Sequence, residues 1–281
     1  MKWLSPDHQP FELCGFPFFS RDHVYRRVQV NPPEPLPKEV DFLANQTAGG
    51  QIRFRAVLET LDIRVRLNAE PEMDHMPATG EGGFDCYISE GTDEPLYVST
   101  ARLEERGREY TATLFSFPKK RELNVVLNFP LYKGVEKVEL GVDDDAAVLP
   151  PHPLRQGRIA VYGGSIDQGA CASRPGMAYT NILSRWMNTE FVNWGFSGSG
   201  KAEAEVAKAL SEIDDVRLFV INTAGNCPSA FISAGTSAGI SGYSAAAVPI
   251  HADSALRTAG IPIQSLCRIR SGNGTEGSGG N

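Results

Sequence analysis

Apolar and polar residues alternate with period two along Gln51–Val57, Asp62–Leu67 and Leu123–Phe129. Such alternation is the signature of half-buried strands, because successive side chains of a strand point to opposite faces. Glycine and proline clusters break the pattern at Ala48-Gly49-Gly50, at Gly80-Glu81-Gly82-Gly83 and at Pro32-Pro33. Short strands separated by such turns predict an antiparallel β-sandwich, jelly-roll-like, over residues 1–152. The prolines of Val148–Leu154 can continue neither sheet nor helix and predict a linker.

Beyond Gly157 the period changes. Arg158–Tyr162 is a short apolar run ending in Gly163-Gly164, and Met177–Met187 repeats apolar residues at helical spacing. Glu190–Trp194 predicts a second strand. Val206, Leu210 and Ile213 share one face of a helix starting near Lys201, and Arg217–Asn222 predicts a third strand. The order strand, helix, strand, helix, strand predicts a three-layer α/β domain of flavodoxin type with a parallel sheet over residues 157–228. From Ser229 to Asn281 about half of the residues are Gly, Ala or Ser, and lysine is absent. That composition predicts an atypical, partly disordered tail and an apparently truncated sheet.

The net charge of -7 excludes the basic stripe that nucleic acid requires, and argues against anionic lipid. The pair Arg26-Arg27 reads as a solvated face. No segment is long and apolar enough to span a bilayer, and Asp7, His8 and Gln9 interrupt any leader-like start. A soluble, cytoplasmic protein is therefore expected. The five cysteines include no C-x-x-C pair and no zinc spacing, so free thiols in a reducing compartment are expected, with no metal or organic cofactor.

Two stretches carry candidate chemistry. Ser165 follows the strand Arg158–Tyr162 in Gly163-Gly164-Ser165, at the carboxyl edge of the predicted sheet, where open α/β folds bind ligands. A helix start there would offer free N–H groups to an oxygen gaining negative charge, although a serine helix cap fits the same residues. The second stretch, Gly195–Ala202 (GFSGSGKA), is one residue short of a phosphate loop. Ala202 replaces the hydroxyl that would hold magnesium, and Asn222 stands where an acidic residue would end the next strand, which argues against nucleotide binding and leaves a plain turn, with glycines for geometry, as the alternative to an oxyanion role.

Residues 157–185, GRIAVYGGSIDQGACASRPGMAYTNILSR, resemble the first motif block of the SGNH (GDSL-type) esterases, in the branch with an N-terminal β-sandwich. Asn193–Lys201 resembles the second block, Asn222–Pro228 the third, and Arg21–Arg27 with Ala48–Phe54 the sandwich; the likeness spans roughly residues 10–228. It implies an SGNH-type α/β domain with Ser165 as nucleophile. It also implies an oxyanion hole of Ser165 N–H, Gly198 N–H and the Asn226 amide, and a small or carbohydrate acyl ester, such as an acetyl ester, as substrate.

The family places its base in an Asp-x-x-His motif near the C-terminus. After Asn226 this chain has only His251, followed by Asp253. His251 is the candidate base by position, and His8, His23, His75 and His152 belong to the sandwich or linker. Loss of the base would impair hydrolysis and favour the alternative reading, a noncatalytic glycan- or partner-binding protein with a relic hydrolase domain. In that reading Trp3, Phe18, Phe19, Tyr87 and Tyr97 could form a sugar platform. The composition change after Ser229 suggests a shifted reading frame or degenerated end. Translating the gene in its other frames checks this: an Asp-x-x-His motif in another frame is the expected outcome, and an ordinary uninterrupted end would refute it.

Overall fold

The structure, a computed structural model, describes residues 1–91, 94–103, 107–223 and 225–226, together with the backbone of 246–249. The first half forms β1 (Lys2–Leu4), β2 (Glu12–Cys14), β3 (Gln51–Leu67), β4 (Asp85–Ser89), β5 (Leu96–Thr100), β6 (Glu109–Asn128), β7 (Val135–Val142) and β8 (Ala147–Leu149). Their order is β1-β7-β3-β6-β4-β5, with β2 and β8 also on β3, and the pairings are antiparallel. Three short helices, α1 (Phe19–Asp22), α2 (Lys38–Leu43) and α3 (Ala78–Glu81), lie in the connections.

The two alternating segments 51–57 and 62–67 are one strand and not two. Ile52, Phe54, Ala56 and Leu58 are buried, then Leu61, Ile63, Val65 and Leu67. The inward set passes from even to odd positions where the β3–β6 register shifts, between Leu58 and Thr60 and again between Leu61 and Asp62. A bulge is required there, because a one-residue slip without it would turn every later apolar side chain to solvent. The backbone donors freed at this irregularity are met by one carboxylate: Glu59 N–H and Thr60 N–H both donate to Asp143 Oδ2, at 2.7 and 3.2 Å. The 51–58 half of β3 pairs with residues 121–128 of β6, and the 60–67 half pairs with 109–116 and with β7. Both long strands thereby serve both layers of a sandwich-like body, which closes over the core of Phe54, Leu61, Phe84, Leu127 and Phe129.

The second half forms β9 (Arg155–Gly163), α4 (Ser165–Gln168), a 3-10 turn (Pro175–Met177), α5 (Tyr179–Met187), β10 (Thr189–Gly195), α6 (Ala204–Leu210) and β11 (Val216–Asn222). β9 is central, with β10 and β11 parallel on its two sides, as the strand–helix alternation predicts. The helix expected near Lys201 begins three residues later, at Ala204, and Ile213 is buried beyond its end. A further strand, β12 (Ala246–Pro249), pairs antiparallel with β11 and lies within the segment whose composition predicted a tail.

The segment 18–44 packs on both halves: Tyr25 sits in the sandwich core with Phe19 packed against it, and other side chains reach the α/β sheet. Phe18, Val28, Val40 and Leu43 share a buried cluster with Tyr162, Val192, Trp194, Phe196, Val206 and Leu210. The expected solvated face at Arg26-Arg27 is overturned by the same packing, since the two side chains are 7% and 0% exposed. Arg26 pairs with Asp41 and donates to Asn45 Oδ1. The Arg27 guanidinium donates to the carbonyls of Asn193 (3.2 Å), Gly195 and Leu43 (2.7 Å), and lies 4.7 Å over the Phe196 ring. Burial pulls its pKa down to about 9, which leaves it charged at neutral pH.

Replacing Arg27 by Met keeps apolar volume but leaves the carbonyls of Asn193 and Gly195 without this donor, while the Leu43 carbonyl keeps Gln46 N–H at 3.0 Å. Unsatisfied buried groups cost about 1–3 kcal/mol each, so a loss of about 2 kcal/mol or more is expected. Arg27→Lys should recover little of it, having no planar fork to span the three acceptors. Urea denaturation of the three proteins checks this by the shift in midpoint.

Candidate active site

Ser165 stands at the first position of α4, directly after β9, as the sequence predicts. The helix is a single turn, Ser165–Gln168, so any field from it is small and the local backbone geometry carries the site. Glycines make that geometry possible. A Cβ on Gly163 would strike the Asp167 carboxylate and the Asn222 carbonyl, and one on Gly195 would strike the Gln168 backbone. Ser165 itself is half-buried, and its carbonyl accepts from Ala170 N–H at 2.9 Å and from the Tyr132 hydroxyl at 3.4 Å.

The stretch Gly195–Ala202 is a loop pressed backbone to backbone on the serine turn. Phe196 N–H donates to the Gly163 carbonyl at 2.9 Å, and Gly200, with φ +73°, leaves no room for a Cβ against that carbonyl. Gly198 differs from its neighbours: φ is +70° and a Cβ there would meet nothing within 4 Å. It is the exposed apex of the loop. The loop's far end is held by Tyr162, whose hydroxyl accepts from Ala202 N–H at 2.9 Å and donates to the Glu203 carboxylate. Burial, then the nearby Glu203, raises the Tyr162 pKa and keeps the phenol a donor.

Asn226 closes the arrangement. Its Nδ2 donates to the Ser199 carbonyl and occupies the space a Gly164 side chain would need. The structure thus brings Asn226 beside both the residue preceding Ser165 and the residue following Gly198. His251 lies outside the described residues. His152, the histidine nearest in sequence to β9, lies at the other end of that strand. Its carbonyl accepts from Arg53, and eight residues of β9, at about 3.3 Å each, separate that edge from the serine turn.

Three positioning residues escaped the sequence reading. Asp167 is 1% exposed and accepts from Gly164 N–H (2.9 Å), the Tyr179 hydroxyl (2.6 Å) and Asn222 Nδ2 (3.2 Å). Burial, then Asp167, raises the Tyr179 pKa, so that phenol too remains a donor. Asn193 donates to the Asp167 carbonyl at 2.7 Å and accepts from Gly195 N–H at 2.9 Å. Gln168 accepts from Ser197 N–H at 2.9 Å and donates to the Leu131 carbonyl at 3.0 Å and to Gln46. One signal was available for Asn193: a lone amide inside the apolar run Phe191–Trp194. Among the described residues no group of three His, Cys, Asp or Glu is placed to hold a metal ion.

Asp167→Asn turns one acceptor oxygen into a donor facing two donors, since Oδ1 meets Tyr179 and Asn222 and Oδ2 meets Gly164 N–H and Asn222. A loss of about 2–3 kcal/mol is expected, because hydrogen bonds to a charged acceptor are worth about 1.5–3 kcal/mol. Tyr179→Phe, which removes one of those bonds, should cost less. Chemical denaturation of both variants beside the wild type is the check.

Residues 1–148 match the family model for the N-terminus of SGNH-hydrolase-type esterases (GxDLY), and residues 156–242 match the GDSL-like lipase/acylhydrolase family. Among solved structures, a protein described as a GDSL-like lipase from Bacteroides ovatus is 29% identical, with a TM-score of 0.73 over 80% of this chain and 65% of its own. A salicylyl-acyltransferase from a tetracycline biosynthetic pathway is 14% identical, with a TM-score of 0.57 over 78% of this chain and 60% of its own, and shares the fold. The chain thus spans 65% and 60% of the lengths of these two proteins. No match is found among curated proteins. With its first half matched to the esterase N-terminal domain and its serine turn inside the second match, the chain belongs to the SGNH-hydrolase-type esterase family.

Proposed function

We propose that the chain carries the nucleophile and oxyanion hole of a serine esterase that removes acyl groups, acetyl above all, from carbohydrate or small-molecule esters. The observation that carries this reading is the convergence at one sheet edge of Ser165, the open apex Gly198 and the Asn226 amide. Ser165 Oγ attacks the ester carbonyl carbon, and a base takes the hydroxyl proton. The carbonyl oxygen becomes an oxyanion between Ser165 N–H, Gly198 N–H and Asn226 Nδ2. Collapse expels the alcohol, which takes up the proton, and leaves an acyl-serine. Water then attacks the acyl carbon and releases the acid.

His251 is the base this reading assigns within the chain. A missing base would lower the rate by about 10²–10⁴. The network around Asp167, Asn193 and Gln168 serves the mechanism by fixing donors before charge develops, which is where such sites obtain most of their effect. The carbohydrate preference rests on family likeness and on the sandwich that accompanies the hydrolase unit.

Hydrolysis of p-nitrophenyl acetate tests the reading directly. Ser165→Ala should abolish turnover above background, and Asn226→Ala should lower kcat about 10²–10³-fold with KM little changed. Equal rates from folded wild type and Ser165→Ala would overturn it.

A further inference from the structure

A cleft lies well away from Ser165. It has a volume of about 540 Å³ and lies where the sandwich meets the amino-terminal edge of the parallel sheet. Its walls include Asn124, Glu94 and His152 on one side and Arg185, Trp186 and Asn188 on the other. The location is fixed by Arg155 N–H, at the start of β9, donating to the Asn188 carbonyl at 2.8 Å. Ser165 follows the far end of the same strand, about 26 Å away at the rise of a strand. Nothing in the reaction above uses this cleft.

An exposed tryptophan among the wall residues points to a ligand. The indole of Trp186 is 68% exposed at the end of α5, beside the exposed Met187, where solvent offers it nothing. The other two tryptophans are covered: Trp194 is fully buried, and Trp3 lies 4.0 Å under the Arg64 guanidinium. Two polar atoms of the wall residues have no partner among the described residues, the acceptor Asn124 Oδ1 and the donor Arg185 Nη1. The remaining bonds of both residues are made: Asn124 Nδ2 donates to the Gly91 carbonyl and to Ser89 Oγ, and Arg185 Nη2 to the Gly176 carbonyl at 2.8 Å.

The charges favour a neutral ligand. Arg53 in the wall is paired with Glu12 at 2.8 Å, Arg185 sits in the field of Asp85 and stacks 4.0 Å over Tyr87, and Glu94 adds an acid. No cationic excess remains to select an anion. A sugar ring offers hydroxyls that both donate and accept, and a C–H face that covers an indole. The candidate platforms read from sequence do not supply such a face: Phe18 is in the core, Phe19 stacks on Tyr25, and Tyr97 is capped by Arg174 at 3.9 Å.

We propose that this cleft is a noncatalytic binding site for a neutral oligosaccharide, with Trp186 as its stacking platform. It stands apart from the esterase reading and does not depend on it. Isothermal titration of the Ser165→Ala protein with the hexasaccharides of β-1,4-linked xylose, glucose and N-acetylglucosamine tests it in the absence of turnover. Saturable binding of at least one is expected, weakened tenfold or more in Trp186→Ala and largely kept in Trp186→Phe. Circular dichroism confirms that the variants, altered at an exposed position, remain folded. Failure of all three sugars to bind at millimolar concentration, or binding unchanged by Trp186→Ala, would overturn the proposal.

Discussion

The buried Arg27 guanidinium joins the two halves of this protein at the point where the candidate site is built. Parallel strand β10 ends at Gly195, and its last carbonyls would otherwise turn into a space closed by helix α2 and Phe196. A fork of N–H donors fits this space: it spans the carbonyls of Asn193, Gly195 and Leu43 at once while its flat face covers an aromatic ring. Removing the cation would leave the strand end with two unmet acceptors, while the helix end would keep only Gln46 N–H on its Leu43 carbonyl. The sandwich half therefore supplies part of the hydrolase half's core, and the two are linked by more than the proline-rich connection.

From that fixed strand end the site follows in short steps. Asn193 holds the Asp167 carbonyl, and Asp167 in turn holds Gly164 N–H, Tyr179 and Asn222. Gln168 draws in the Ser197 amide from the neighbouring loop. The bonds to Gly164 N–H, the Asp167 carbonyl and Ser197 N–H place backbone groups of the serine turn and of the loop that carries Gly198, and the glycines let those backbones touch. The result is a set of donors held in place by buried side chains, with Ser165, Gly198 and Asn226 at the accessible edge. Preorganisation of that kind is what an oxyanion site requires.

Much of this was legible in the chain. Alternation at 51–57, 62–67 and 123–129 marks strands, and helical spacing at 177–187 marks α5. The motif blocks place Ser165 at a strand-to-helix turn. Other features were not legible. The fusion of two segments into β3 depends on a parity change that the Asp143 carboxylate stabilises from across the sheet. Arg26-Arg27 looks like any charged surface pair until the helix at 38–43 and the strand at 189–195 close around it. Asp167 stands two residues after the serine, yet its role depends on Asn222, fifty-five positions away in sequence.

The sequence by itself determined the local periods, the glycines where backbones must approach, and the position of one serine at the end of one strand. Those properties depend on residues within a few positions of each other, so they survive without knowledge of the fold. Tertiary structure alone decided that Arg27 is buried, that Asn226 meets Gly164, that His152 is remote from Ser165, and that Trp186 faces a cleft. Each of these is a contact, or its absence, between segments far apart in the chain. Hydrophobic period says which face of an element is buried; it does not say against what.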